Sequence, residues 1–160
     1  MFEEMHHDET HTDGHTYVPF RVNGSWFTVD VRHVVKVALF GQVFGIPNTP
    51  EHVLGYSLLR GETFVTCDLA SLLAVSFTDA EDTDPVHSSP RLVVLEANGM
   101  RIAVPVDKTA PLMTISMTQI SDVSEETEGL VHQVLWGQFE ASGCVYRVLN
   151  VPFLLEHGCV

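Results

Sequence analysis

Basic side chains are scarce in this sequence. Eight Lys and Arg stand against 21 Asp and Glu, a formal net charge of -13. So few cations cannot track a phosphate backbone, which excludes a broad nucleic-acid interface. Cysteine is scarce too. Cys67, Cys144 and Cys159 are too few and too scattered for a disulfide framework. No apolar run approaches the ~18 residues of a membrane helix, so no direct membrane insertion is expected. The opening Met1-Phe2-Glu3-Glu4 is acidic and lacks the apolar stretch of a secretory signal. The expectation is a cytoplasmic protein. Motifs of the common enzyme classes are missing as well: no Gly-rich phosphate loop, no HExxH and no GxSxG. Gly55-Tyr56-Ser57 begins like a nucleophile elbow but lacks the glycine that completes one. No catalysis and no cofactor are expected.

What the chain does have is apolar mass. Residues of the AVILMFWYC set make up 45% of 160, and the mean hydropathy is +0.14. That suits one domain, or two small ones sharing a core. The acids cluster in residues 1–16, 79–84 and 122–128, which together hold 13 of the 21 and none of the bases. The remaining body is formally neutral, so the excess charge belongs to a tail and two loops. Residues 1–16 have no apolar period and are expected to form a flexible tail. Residues 76–90, rich in acids, Ser and Pro, read as a long loop.

Nine histidines invite a metal reading. His7, His11 and His15 would line one face of a helix, but Thr10, Thr12, Asp13 and Gly14 make that helix poor. A structural zinc site needs four ligands in an ordered cage, so no metal site is assigned. A metal- or redox-responsive sensor using the N-terminal histidines, or Cys67 and Cys144, stays as an alternative of another class. Cys67 itself reads as a small buried hydrophobe.

The body is patterned as strands. Short runs of Val, Ile, Phe, Tyr and Leu alternate with Gly, Pro, Asn and Asp. Two hairpins are explicit: residues 20–31 around Asn23-Gly24, and residues 94–106 around Asn98-Gly99. Asn-Gly tolerates the positive φ angles of a two-residue type I′ turn. At an offset of 75 these hairpins align Phe27 with Ile102, Val29 with Val104 and Val31 with Val106. At an offset of 82, the run from Gly61 to Leu69 aligns with that from Gly143 to Val151. The pattern reads as a duplication into halves 17–75 and 91–156. Each half is too small to bury enough surface alone, so the two should pack together as small barrels.

Residues 46–73 carry the most specific pattern. Ile46-Pro47-Asn48-Thr49-Pro50 is a rigid turn. Val53-Leu54-Gly55, Leu59-Arg60-Gly61, a strand, and Asp68-Leu69 before Leu72-Leu73 follow it. This order resembles the CheW-like domain of bacterial chemosensory systems. Ile102–Asp107 and the closing run from Val145 to Leu155 fit the same pattern, so the resemblance spans about residues 18–156. It implies an all-β fold of two SH3-like five-stranded barrels with short helices, and residues 17–156 as one CheW-like domain. It also implies a non-catalytic adaptor coupling the cytoplasmic tip of membrane chemoreceptors to a CheA-type histidine kinase, through that kinase's own CheW-like regulatory domain. A stand-alone adaptor of this kind would be recruited to receptor arrays.

By position, the resemblance makes Val34 a receptor-facing residue and Arg60, with Gly61, part of a docking loop. Arg60 could equally hold a salt bridge within the fold, for instance to Asp68. Val29, Val104 and Val106 could line a groove between the barrels or fill the core. The chain departs from the family at Lys36, where glutamate is usual, and at Ala38, where a base is usual. The departure implies a separate array, such as one for type IV pilus twitching or phototaxis. Strand alternation puts Val34 and Lys36 on one face, with Lys36 expected opposite a partner's carboxylate.

Overall fold

The computed structural model describes residues 14–73, 90–122 and 133–158. The chain forms β1 (Gly14–Val22), β2 (Ser25–Asp30), β3 (Val34–Leu39), β4 (Val43–Phe44), β5 (Val53–Leu59) and β6 (Glu62–Cys67), then helix α1 (Leu69–Leu73). Strands β7 (Arg91–Ala97), β8 (Met100–Val106), β9 (Lys108–Thr109), β10 (Met113–Ser116), β11 (Leu135–Ala141) and β12 (Cys144–Leu149) follow. Helix α2 (Val151–Phe153) runs into a wider π turn over Leu154–Gly158.

Both Asn-Gly hairpins form as expected. Asn23 and Gly24 have φ of 52° and 87°, Asn98 and Gly99 of 51° and 79°. Two further hairpins use the same turn on less obvious residues, Arg60-Gly61 and Ser142-Gly143, with φ of 49° and 85°, and 52° and 80°. All four present positive φ at both central positions, the geometry that matches the twist of paired strands.

The strands make two sheets. The first runs β10-β1-β2-β12-β11 with β9 beside β1, and the second β3-β7-β8-β6-β5-β4. Each is the sheet of an SH3-like subdomain, five main strands with one two-residue strand added. The sheets do not follow the halves 17–75 and 91–156. Hairpin β1–β2 of the first half joins β12 of the second in parallel register, Trp26 beside Tyr146. Hairpin β7–β8 of the second half joins β6 of the first, Val65 beside Ile102. The repeat is real at the level of elements. Both β5 and β11 slip register before a glycine, Gly55 and Gly137, and these are 82 residues apart. Each half lends its hairpin to one sheet and its remaining strands to the other.

The boundary of the tail moves as well. Residues 14–16 are strand, with His15 opposite Ile115 and Thr16 opposite Thr114. Backbone hydrogen bonding fixes this stretch where its polar side chains carry no apolar pattern. Residues 1–13 and the acidic runs at 79–84 and 123–128 lie outside the described residues.

Side-chain alternation divides the interior into three layers. Tyr17, Trp26, Ile115, Phe139, Tyr146 and Val148 fill the first subdomain. Phe64, Leu92, Val94 and Ala103 fill the second. The largest cluster lies between the sheets and takes Phe20, Phe27 and Val29 from one, Val93, Leu95, Ile102 and Val104 from the other, and Leu69, Leu73, Leu154 and Leu155 from the helical segments. Neither sheet is complete without this shared layer.

Candidate docking surfaces

Val29, Val104 and Val106 belong to the shared core, at 0%, 1% and 2% exposure. Val29 and Val104 offer no surface to a partner, because the faces of β2 and β8 close on each other there, while Val106 also lines a cleft at the subdomain junction. Val34 is only partly buried against that core.

A bulge decides how β3 presents its side chains. Val34 pairs with Leu95 and Lys36 with Val94, the register slipping between them. Paired residues share a face, so Val34 turns toward the shared core with Leu95, and Lys36 toward the second subdomain's interior with Val94. The expectation that the two share one face fails because the extra bulge residue restores the opposite parity. Lys36 lies over the Phe64 ring at 5.6 Å. Its ammonium donates to Glu62 Oε1 at 3.4 Å. Glu62 Oε2 in turn accepts from Arg101 at 3.3 Å, and Arg101 donates to Glu96. Within the chain, the carboxylate facing Lys36 is Glu62.

Arg60 stands exposed at the tip of the β5–β6 hairpin in left-handed backbone. Among the described residues it makes no salt bridge. Asp68 lies at the far end of β6 and caps α1 instead, its Oδ1 accepting from Ala70 N at 3.2 Å. Gly61 supplies the second positive φ of the turn.

Beyond the bulge, the same side of β3 as Val34 runs past the core and exposes Val37 and Leu39 at 44% and 61%. Their partners Val93 and Arg91 place them on the same face as Val34. Together they make one apolar strip along the junction of the subdomains.

A second strip was not foreseen. Phe44, Tyr56 and Val65 are directly opposite one another across β4, β5 and β6, with the Phe44 and Tyr56 rings stacked at 5.2 Å. Leu58 follows on the same face at 55% exposure. The interior parity of β5 holds Gly55 and Ser57 instead, and Ser57 Oγ is hydrogen-bonded to Thr66 Oγ1 at 2.7 Å. The strand is thus apolar outward and small or polar inward. That inversion was readable in Leu54-Gly55-Tyr56-Ser57-Leu58. The repeat provides a control. At the offset of 82, Tyr56, Leu58 and Val65 correspond to Gln138, Glu140 and Arg147. At these three positions one sheet is polar and its counterpart apolar, which marks a surface to be covered.

Two clefts lie where the subdomains meet. His15, Asp30, Arg32, Trp136, Asn150 and Pro152 are among the residues lining the first, of about 280 Å³. Arg32 holds Asp30 through Nη2 at 2.8 Å and Nε at 3.1 Å. Burial works against ionisation of Asp30, but the Arg32 side-chain and backbone hydrogen bonds outweigh it and hold the carboxyl below its usual range. Burial, and then the Asp30 charge, push the Tyr17 phenol up. Cys67 is buried in the shared core and Cys144 is half-buried. Among the described residues no three His, Cys, Asp or Glu side chains are placed to share a metal.

Two apolar strips are thus exposed on sheets that pack through one shared core layer. The chain belongs to the CheW-like domain family, which it matches over residues 16–159. Its fold is similar to that of the scaffolding protein TtCheW from Thermoanaerobacter tengcongensis. The TM-score is 0.71 at 18% identity, covering 86% of this chain and 84% of that one. No curated protein sequence matches it. No described helix is long and apolar enough to cross a membrane.

Proposed function

We propose that this chain is a non-catalytic adaptor, cytoplasmic and recruited to receptor arrays. In this reading it couples the cytoplasmic tip of chemoreceptors to a CheA-type histidine kinase. The observation that carries the reading is the apolar row Phe44, Tyr56, Leu58 and Val65, set against its polar counterpart on the other sheet. A row of this kind suits the apolar barrel surface of the kinase's regulatory domain. The strip of Val34, Val37 and Leu39 at the subdomain junction suits a receptor helix, whose anchors repeat on one face. Arg60 is positioned to adjust the kinase-facing edge. Transient signalling interfaces are small, so two separate strips on a domain of this size are compatible with two partners at once.

The test is a three-component titration by analytical ultracentrifugation, using the purified kinase regulatory domain and a soluble receptor-tip fragment. The expected result is a ternary complex, with Val37→Asp removing only the receptor fragment. Competition between the two partners for one surface would overturn the two-strip arrangement.

A further inference from the structure

The two clefts at the subdomain junction are copies of each other. Offsets of 75 and 82 carry His15, Arg32, Trp136, Asn150 and Pro152 onto Pro90, Asp107, Leu54, Asp68 and Ala70, and all five of the latter line the second cleft. The backbone repeats as well. Asp68 N donates to His52 O at 2.7 Å and Asn150 N to Val134 O at 2.6 Å. Leu72 N reaches Asp68 O at 3.0 Å, and Leu154 N reaches Asn150 O at 2.9 Å.

The chemistry of the copies has diverged. The first holds Arg32, His15 and His33 beside its single carboxylate, Asp30. The second, of about 490 Å³, is walled by Phe40, Leu54, Pro90 and Pro105 and carries Asp68 and Asp107, with no Lys, Arg or His among the described residues of its lining. Neither carboxylate's charge is needed for the fold. Asn150 caps α2 through Oδ1, accepting from Phe153 N at 3.2 Å, and does so without charge at the position equivalent to Asp68. Asp107 Oδ2 accepts one bond from Asn23 N at 2.8 Å, which an amide oxygen could equally accept.

We infer that the second cleft docks a basic, apolar-anchored segment of a partner protein. Its apolar chain packs against Leu54 and Phe40, and its Lys or Arg faces Asp68 and Asp107. The apolar walls lower the local dielectric, so opposite charges there count for more than on open surface. Asp79, Glu81, Asp82 and Asp84 carry the same sign as these two carboxylates, so the complementary occupant is a basic one. The inference does not depend on which partner the two apolar strips engage.

The test uses the full chain and three capped peptides, acetyl-Leu-Lys-Leu-amide, acetyl-Leu-Glu-Leu-amide and acetyl-Leu-norleucine-Leu-amide. Amide shifts of Asn23, Ala70 and Asp107 are followed by two-dimensional NMR. The lysine peptide should bind saturably with millimolar Kd at these amides, about three- to ten-fold tighter than norleucine, with no saturation by the glutamate peptide. Asp68→Asn and Asp107→Asn should each weaken the lysine peptide about three- to ten-fold while leaving the thermal midpoint unchanged. Equal binding of all three peptides would overturn the inference. So would no saturation by any of them up to 20 times the expected Kd, or shifts confined to the cleft of His15 and Trp136.

Discussion

Cutting the chain inside the 76–90 run should leave two halves that cannot fold apart but can fold together. In the half 1–80, hairpin β1–β2 loses β12, β9 and β10, while β6 and β3 lose β8 and β7. The faces thereby uncovered are large. Val18, Phe20, Val22, Phe27 and Val29, none more than 7% exposed in the intact chain, would lose their cover from the second sheet. At ~1.5–3 kcal/mol for each side chain, that forfeits about 7–15 kcal/mol. A whole domain of this size is stable by only about 5–15 kcal/mol, so neither half should survive. Mixed at equal concentration, the halves restore every strand pairing and the shared layer. Near-ultraviolet circular dichroism and urea titration follow the outcome. Each half alone should show no fixed tertiary signal and no cooperative transition, and the mixture should recover both. A cooperative transition from either half alone would refute the exchanged-hairpin topology, because it would show a subdomain assembled from one half.

Other perturbations probe single contacts. Gly55→Ala should cost more than about 3 kcal/mol by urea titration, since a Cβ there meets the Phe44 carbonyl, a backbone atom that cannot yield. Gly137→Ala meets the Ile120 side chain and Ser121 O and should cost less, because Ile120 can turn aside. Arg60→Gly should raise stability by ~1 kcal/mol by relieving left-handed backbone, visible as a higher thermal midpoint. Lys36→Glu should destabilise by at most about 1 kcal/mol through repulsion with Glu62, and adding Glu62→Lys should restore only part of the loss, because the new lysine would face Arg101. Asp30 has a depressed folded pKa, so its contribution is present above the unfolded value near 3.8 and is lost as pH falls through the folded value. Asp30→Asn should flatten that acid limb of a stability–pH profile.

The fold was largely legible because its determinants are local. Asn-Gly turns, alternation and the paired motifs at offsets of 75 and 82 each act within a few residues. The pairing of hairpins was not legible, since β2 joins β12 across more than a hundred residues and every strand carries similar apolar side chains. The parity of Lys36 was hidden for a related reason: a bulge is set by the partner strand, and nothing in Val34-Val35-Lys36 announces it. The burial of Val29, Val104 and Val106 follows from the same distant association. The row of Tyr56 and Leu58 was readable, because Gly55 and Ser57 are poor core residues and their neighbours are large. Arg60 was placed correctly at a loop, but its exposure depended on how far β6 carries Asp68 from it.

The central claim is that the outer face of β4, β5 and β6 docks the kinase's regulatory domain. Isothermal titration calorimetry with that domain tests it most directly, comparing wild type, Leu58→Asp, and Glu140→Lys on the equivalent face of the other sheet. A charge buried without a partner in an apolar contact should weaken binding at least about tenfold, while Glu140→Lys leaves it unchanged. Unaltered binding by Leu58→Asp, or an equal loss from Glu140→Lys, would contradict the account.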